Sequence, residues 1–308
     1  MEKSRQTYKD VTLAQLRSFG VVCRAGSYAG AARELLLTSP AVWEQMQGLE
    51  RHYGRKLIRR RGNGVEPTAE GRRLLELLQP VLAGLDSTRD VIQHQGGAPP
   101  AVLTVATNLR VLAEEISRGL ARFRELHPQV LLRLTFTGND VEAQISSGQA
   151  DVGFTLEPGP DSDPQTAAQY EAAGEVDYLL VAPQRHPLLR KRSLQLKQIV
   201  RYPLVLGQEE AYSRRRVQEV LHRQDLHGDV RLAVETSSDE YTLSCVRAGL
   251  GVGITVGTGR GQLYRDLGVR SLGRWFGTAR LGFLWKRGAY IPAAQRSLAK
   301  CLSAGLDA

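Results

Sequence analysis

The side chains with the clearest potential for chemistry lie between residues 39 and 51, on a segment with helical periodicity. At about 100° per residue, Glu44, Gln47 and Arg51 lie opposite the apolar residues of this segment. An amide can pair with an adenine edge, a guanidinium can bind guanine or phosphate, and a carboxylate can accept from a cytosine amino group. The pattern therefore predicts a helix that reads double-stranded nucleic acid. An alternative for Glu44 is a solvated carboxylate that only repels phosphate.

Flanking residues extend this predicted surface. Ser39 is at the predicted start of the helix, where free N–H groups and the helix dipole favour a phosphate. Trp43 is on the flank, where part of its ring can touch a thymine methyl group or a sugar. Basic residues that follow the helix would bind backbone phosphates and supply affinity without sequence choice. The complete predicted DNA-contacting set is Ser27, Tyr28, Thr38, Ser39, Pro40, Trp43, Glu44, Gln47, Arg51, Arg59, Arg60 and Arg61.

Three short helices are predicted to position these side chains. Thr12 can cap the first helix, Gly26 can end it, and Ser27 can cap a second helix that ends near Leu36. Ser39 is predicted as the N-cap of the third, with Pro40 at the first helical position, where its missing N–H costs nothing. The predicted buried stripe of this third helix comprises Val42, Met46, Leu49 and Tyr53. Two helices joined by a tight turn, the second with an exposed polar face, are typical of a helix-turn-helix.

A hairpin and a long helix are predicted next. The turn Gly62-Asn63-Gly64 separates two short apolar segments, which indicates a small basic wing. Thr68 can then cap a helix that reaches about His94. Its apolar residues follow four- and three-residue steps, which favours a dimerisation seam, although packing on its own domain would explain the same pattern. The seam comprises Leu74, Leu78, Val81, Leu85 and Ile92, with Thr88 in the skipped position.

Beyond a predicted hinge at residues 95–100, strands alternate with helices, which predicts mainly parallel β-α-β units with helices on both faces. Open sheets of this kind bind ligands at the carboxyl ends of their strands. Residues 107–108 and 137–139 are each predicted to end a strand and begin a helix, and Ser238 can cap another. Hydroxyl and N–H groups that converge there favour a small anion or polar metabolite, although each residue alone could be only a helix cap. The predicted effector-binding residues are Thr107, Asn108, Thr137, Gly138, Ser237 and Thr255.

Composition and charge restrict the classes of function. The chain has 308 residues, with 41 Lys and Arg against 32 Asp and Glu. Residues 51–73 alone carry eight basic and two acidic side chains, which suggests a polyanion partner, although a solvated charged face would explain the same cluster. The sequence has neither a run of about 18 uncharged apolar residues nor an apolar signal core, so we expect no membrane partner and a cytoplasmic protein. Its three cysteines are widely separated, which argues against disulfides, a zinc site or a redox pair.

Motifs for catalysis are missing from the sequence. The glycines between 249 and 261 fit neither G-x-G-x-x-G nor a phosphate-binding loop, and neither G-x-S-x-G nor H-E-x-x-H occurs. We therefore expect no enzyme, no metal and no cofactor. Two alternatives stay open: a small-molecule binding or transport protein with a basic appendage, and an enzyme with an unrecognised site.

The N-terminal motifs resemble those of the LysR-type transcriptional regulators. The matching residues are Leu13-x-x-Leu16-Arg17-x-Phe19, Gly26-Ser27-Tyr28-x-x-Ala31-Ala32-x-x-Leu35, Thr38-Ser39-Pro40-Ala41-Val42-x-x-Gln45-Met46-x-x-Leu49-Glu50, Gly54-x-x-Leu57-Ile58-x-Arg60 and Pro67-Thr68-x-x-Gly71. Valine-rich 102–106, Asp151-Val152-Gly153-Phe154 and Val246-x-x-Gly249-Leu250-Gly251-Val252-Gly253-Ile254 resemble the effector domain of that family.

The resemblance implies a winged helix-turn-helix at residues 10–67, a linker and dimerisation helix at 68–95, and an effector domain at 98–308. This domain would have two α/β lobes like type 2 periplasmic binding proteins, the first about 98–172 plus 273–308 and the second about 173–272. A small-molecule effector between the lobes would alter how a homodimer or homotetramer holds promoter DNA. Ser39, Trp43 and Glu44 depart from the usual Gln, Ser and polar or basic residue, so the usual operator preference does not carry over.

Overall fold

The computed structural model describes residues 11–93, 99–109, 112–138, 140–157, 168–209 and 211–307. Most of the predicted hinge, and Asn139, therefore lie outside the described residues. The chain forms two compact units. One contains the described residues of the first 95 together with Lys286–Tyr290, and the other contains the remaining described residues. No helix among the described residues has both the length and the apolarity that crossing a bilayer requires.

The first unit consists of helices around a small hairpin. Its elements are α1 (Leu13–Ala25), α2 (Tyr28–Leu35), α3 (Ser39–Tyr53), β1 (Ile58–Arg61), β2 (Gly64–Pro67) and α4 (Ala69–Gln93). The predicted caps at Thr12 and Ser27 are confirmed, because their side chains accept from Gln15 N and Gly30 N. Gly26 ends α1 at φ +63°, a left-handed conformation that glycine adopts without strain.

The start of α3 differs from the prediction by one residue. Thr38, rather than Ser39, is the N-cap, and its side-chain oxygen accepts from Ala41 N. Ser39 is the first helical residue, so Pro40 is the second. This position suits proline equally well, because none of the first N–H groups of a helix has an intrahelical partner.

The core of the first unit lies where α1, α2 and α3 meet. Phe19, Val22, Val42 and Leu49 are fully buried, and Ala31 and Ala32 allow α2 to pack closely. Met46 is also buried, so three members of the predicted α3 stripe are confirmed. The fourth, Tyr53, is 43% exposed and was predicted wrongly. It is the last helical residue, and its ring packs edge-on against His52 instead of the core.

Helix α4 divides the predicted seam into two parts. Leu74 and Leu78 pack against the core of their own unit. Val81, Leu85 and Ile92 are 53%, 39% and 65% exposed. The interpretation as own-domain packing is therefore confirmed for the first turns of α4. The later turns have an exposed apolar face, for which the dimerisation seam stays a prediction.

The second unit is a mixed α/β structure. Its strands are β3 (Val102–Thr107), β4 (Leu131–Phe136), β5 (Val152–Leu156), β6 (Ala168–Pro183), β7 (Leu204–Gly207), β8 (Leu232–Thr236), β9 (Val252–Gly257), β10 (Leu267–Ser271) and β11 (Thr278–Lys286). Its helices are α5 (Ala113–Leu126), α6 (Val141–Ser147), α7 (Leu196–Ile199), α8 (Tyr212–Arg223), α9 (Asp239–Arg247), α10 (Gly273–Phe276) and α11 (Ala293–Asp307). Short 3₁₀ helices span Pro187–Arg190, His227–Asp229 and Gln262–Tyr264.

The sheet has the order β4-β3-β5-β11-β6-β9-β7-β8, with β10 paired to β6. Strands β4, β3 and β5 form one parallel group, and β8, β7 and β9 form another. The prediction of mainly parallel strands is corrected to a mixed sheet, because β11 pairs antiparallel with β5, and β6 with both β9 and β10. Helices on both faces are confirmed. On β3, Val105 packs in the core that contains Phe123 of α5, whereas Ala106 packs with Ile145 of α6.

Candidate DNA interface and effector site

The exposed face of α3 carries the predicted base-reading residues. Trp43 is half exposed, and Pro40, Glu44 and Arg51 are exposed. Gln47 is half-buried, and its amide nitrogen lies 3.4 Å from Glu50 Oε2. The Nε of Arg51 donates to the carbonyl oxygen of Gln47 at 3.3 Å, which leaves the rest of the guanidinium free to bind an anion. The structure therefore brings these side chains together on one accessible surface.

Predicted DNA-contacting residues at the starts of α2 and α3 also have structural roles. The hydroxyl oxygens of Ser27 and Thr38 accept from backbone amides and fix where the helices begin. Tyr28 is half-buried, and burial raises the pKa of its hydroxyl group, with further contributions from Glu50 and Cys23. Ser39 is half-buried at the first position of α3. The hydroxyl hydrogens of Ser27 and Thr38 remain able to donate to a phosphate.

Glu50 fixes the hairpin against α3, a role that we did not predict from the sequence. Its side chain is buried, and Oε1 accepts from the backbone amides of Leu57 at 3.0 Å and Ile58 at 3.2 Å. Lys56 Nζ approaches Oε2 to 2.6 Å. The signal was present in the sequence, because a carboxylate that falls next to Leu49 on the core side of α3 is buried only if it is hydrogen-bonded.

The predicted wing is confirmed as an antiparallel hairpin, but its three arginines are not equivalent. Arg59 and Arg61 both pair with Glu66 of the neighbouring strand, at 2.6 and 3.0 Å. Arg60, between them, points to the other face because side chains alternate along a strand. The pKa of Glu66 is lowered by its hydrogen bond to Arg59 and by the charges of both arginines. Arg60 is exposed, so its guanidinium is free to approach a phosphate.

The hairpin is fixed at its second strand by the end of α1. Val65 N donates to Gly26 O at 2.8 Å. Gly64 lies so close that an added Cβ would come within 2.5 Å of the same oxygen. Backbone contact of this kind positions the wing independently of its arginine side chains.

Four of the predicted effector residues lie together at the carboxyl ends of β3, β4 and β5. Thr137 N donates to Thr107 O at 3.2 Å, and Thr155 Oγ1 donates to Asn108 Oδ1 at 2.9 Å. Thr137 Oγ1 is buried and has no partner among the described residues. Gly138 is in the left-handed region, at φ +54°. This group forms a polar surface that includes one unsatisfied hydroxyl.

The predicted helix starts in this region need correction. Helix α5 begins only at Ala113 and α6 at Val141, so Thr107, the last residue of β3, and Asn108, Thr137 and Gly138 are not helix caps. After β3, the helix starts later than predicted because Leu109 is almost fully buried, so the chain first turns into the core. Neither Leu112 nor Asp140, the actual N-caps, makes a side-chain capping bond.

The other two effector residues belong to the β7–β9 group. Ser237 is exposed after β8, and Ser238 is confirmed as the N-cap of α9. Thr255 is buried within β9, and its hydroxyl donates to Asp239 Oδ1. Burial raises the pKa of Asp239 from 3.8 to about 6; Glu240 also raises it, whereas the Thr255 hydrogen bond lowers it.

We expect Asp239→Asn to stabilise the protein above pH 6. The raised pKa means that the native state favours the protonated acid, so stability should increase as the pH falls from about 6 to about 4. At pH 8 the neutral amide should raise the free energy of unfolding by up to about 3 kcal/mol. Urea unfolding at pH 5 and pH 8 measures both effects, with exposed Asp229→Asn as the control. Lower stability of Asp239→Asn at pH 8 would contradict this prediction.

Comparison with known proteins decides the family. Residues 13–72 match the family described as bacterial regulatory helix-turn-helix protein, lysR family, and residues 99–307 match the LysR substrate binding domain. The chain belongs to the LysR family of transcriptional regulators. The predicted resemblance is thereby confirmed. This LysR-type protein is a DNA-binding regulator of transcription, with an effector-binding domain for a small molecule.

Individual relatives cover most of this LysR-type chain. The HTH-type transcriptional activator CmpR of Synechocystis sp. is 27% identical over 80% of this chain and 79% of its own. The regulator CbbR of Sinorhizobium medicae is 30% identical over 79% of this chain and 76% of its own. Full-length CbnR, solved in complex with its target DNA, is 19% identical and has a TM-score of 0.55 over 96% of this chain and all of its own. These curated relatives are transcriptional regulators.

Proposed function

We propose that this regulator binds promoter DNA by placing the exposed face of α3 in the major groove. The observation that carries the proposal is the division of α3 into a buried face and an exposed face. Val42, Met46 and Leu49 are buried in the core, whereas Trp43 and Arg51 are exposed. A helix of this kind fits the major groove, where base edges present distinct donor and acceptor patterns.

The wing would hold backbone phosphates beside this helix. Arg60 is free to do so, and Arg59 and Arg61 can turn from Glu66 to a phosphate when DNA is present. Contacts of this kind give affinity for all sequences and make binding depend on salt. Gln47 would exchange its long hydrogen bond to Glu50 for an adenine edge.

Replacing Arg59, Arg60 and Arg61 together by alanine should weaken binding to specific and non-specific DNA alike. The plot of log affinity against log salt has a negative slope, and each lost phosphate contact should reduce the magnitude of that slope by about 0.9. Fluorescence anisotropy from 50 to 300 mM salt, with the protein's own upstream region and a scrambled duplex, measures both quantities.

The matched control is the triple alanine variant of Arg124, Arg190 and Arg201, which are exposed in the second unit. It removes the same net charge and should retain the wild-type slope. If the wing variant keeps both wild-type affinity and wild-type slope, the wing has no part in binding.

For the second unit we propose a small-molecule site built from the predicted effector residues. The unsatisfied hydroxyl of Thr137, beside Thr107 and Asn108, supports a polar or anionic ligand. The domain limits stay as predicted, at residues 10–67, 68–95 and 98–308 with two lobes in the last. We further propose that the protein acts in the cytoplasm, where promoter DNA is, and that it regulates without catalysing a reaction.

Homodimerisation through α4 completes the proposal, with a homotetramer as a further assembly. Its support is the exposed apolar face of Val81, Leu85 and Ile92.

A further inference from the structure

We propose that a pocket along α8 binds a small oxyanion, a carboxylate or phosphate group, through the guanidinium of Arg214. The pocket has a volume of about 430 Å³, within the range of small-molecule sites. Its lining includes Arg214, Gln218 and His222 of α8, with His227 and Val230 of the following turn. None of the six predicted effector residues lines it.

Arg214 is the reason to expect a ligand. Only 8% of the residue is exposed, and its Nε has no hydrogen-bond partner. Among the described residues, no carboxylate lies within ion-pair distance of this guanidinium. Burial lowers the pKa of Arg214, and Glu235 and Glu209 oppose this only through their charges. A buried charge without a partner is costly, so proteins normally supply one.

The chemistry of the pocket selects an anion as the missing partner. A guanidinium has five N–H donors and no acceptor, and its planar fork matches the oxygens of a carboxylate or phosphate. The rings of His222 and His227 lie 4.7 Å apart, and with the Gln218 amide they offer further donors. Leu221 and Val230 provide an apolar wall that limits competition from water.

Glu219 also lines the pocket, but it does not repel an anion strongly. Its two oxygens pair with Arg216 at 2.9 Å and with Arg223 at 3.3 Å, so its charge is already compensated. Glu209 and Glu235 also act on Arg214 through their charges, but both are exposed, so water screens their repulsion of an anion. This inference is independent of DNA binding and of the ligand proposed near Thr137.

Thermal unfolding of the full-length protein tests the site. Inorganic phosphate and succinate are titrated separately at constant ionic strength, with chloride as the compensating ion. At least one of them should raise the Tm of the wild type by about 2–4 °C, and the stronger of the two identifies the preferred group. Arg214→Met should have a Tm equal to or above the wild type without added anion, and no anion-dependent rise.

Two further variants make the outcome decisive. Arg214→Lys keeps the positive charge but loses the planar pair of donors that a guanidinium offers. Calorimetry should therefore show an affinity for the anion at least 10-fold weaker than that of the wild type. Arg201→Gln removes one exposed positive charge of the second unit outside the pocket lining and should retain the full rise. The proposal is overturned if neither anion raises the Tm beyond chloride, if Arg214→Met keeps the rise, or if Arg214→Met lowers the Tm in anion-free buffer.

Discussion

The variant Glu50→Ala should lower the free energy of unfolding of the N-terminal unit by about 3 kcal/mol. The substitution removes the acceptor of two backbone amides, those of Leu57 and Ile58, and leaves both without a partner at buried positions. The wing would lose its attachment to α3, so operator affinity should fall as well. Hydrogen exchange of the peptide spanning 55–61 in the full-length protein should become about 100-fold faster, which corresponds to that energy.

The control for this prediction is Glu44→Ala. Glu44 is an exposed carboxylate on the same helix, so its removal should change stability by less than about 0.5 kcal/mol. Exchange at 55–61 that stays at the wild-type rate in Glu50→Ala would show that the hairpin is held without this carboxylate.

The double variant Val81→Glu, Leu85→Glu should convert a dimer to a monomer. Two carboxylates on the exposed apolar face of α4 would have to be desolvated in any interface that uses it. Because two linked domains bind two half-sites cooperatively, operator affinity should fall by at least about 100-fold. Sedimentation velocity measures the assembly, and anisotropy with a duplex of two half-sites measures the affinity.

Arg73→Glu provides the comparison, because it changes the net charge by the same amount. Arg73 is exposed, and it lies about 120° around the axis of α4 from Leu85, so this variant should remain a dimer. If the double variant sediments as the wild type does, the α4 face is not the dimer interface.

Local signals in the sequence predicted the helices of the first unit well. Thr12, Ser27 and Gly26 act through bonds within four residues, so their effects can be read from neighbours alone. The choice between Thr38 and Ser39 could not be made in this way, because both have a hydroxyl and Pro40 tolerates either register. Tyr53 was misplaced because periodicity gives the direction of a side chain but not where the packed partner ends.

Long-range contacts explain most of what was missed. Glu50 accepts from backbone amides seven and eight residues later in the chain. The strand register places Glu66 on the same side as Arg59 and Arg61, and Arg60 on the other side. The first half of strand β6, which spans Ala168–Pro183, is only partly buried and lacks an apolar run, so periodicity alone does not reveal it. Such features follow from tertiary packing, which composition and periodicity do not encode.

The most direct test of groove insertion by α3 is a base-by-base scan of the operator with Gln47→Ala. Full-length wild type and variant are titrated against duplexes in which each base pair of a half-site from the upstream region is changed in turn. The wild type should lose about 1–3 kcal/mol at each base pair that it reads. Gln47→Ala should lose discrimination at one of these, an adenine position, and match the wild type at the others. A variant profile parallel to the wild type at every base pair would contradict readout by this face of α3.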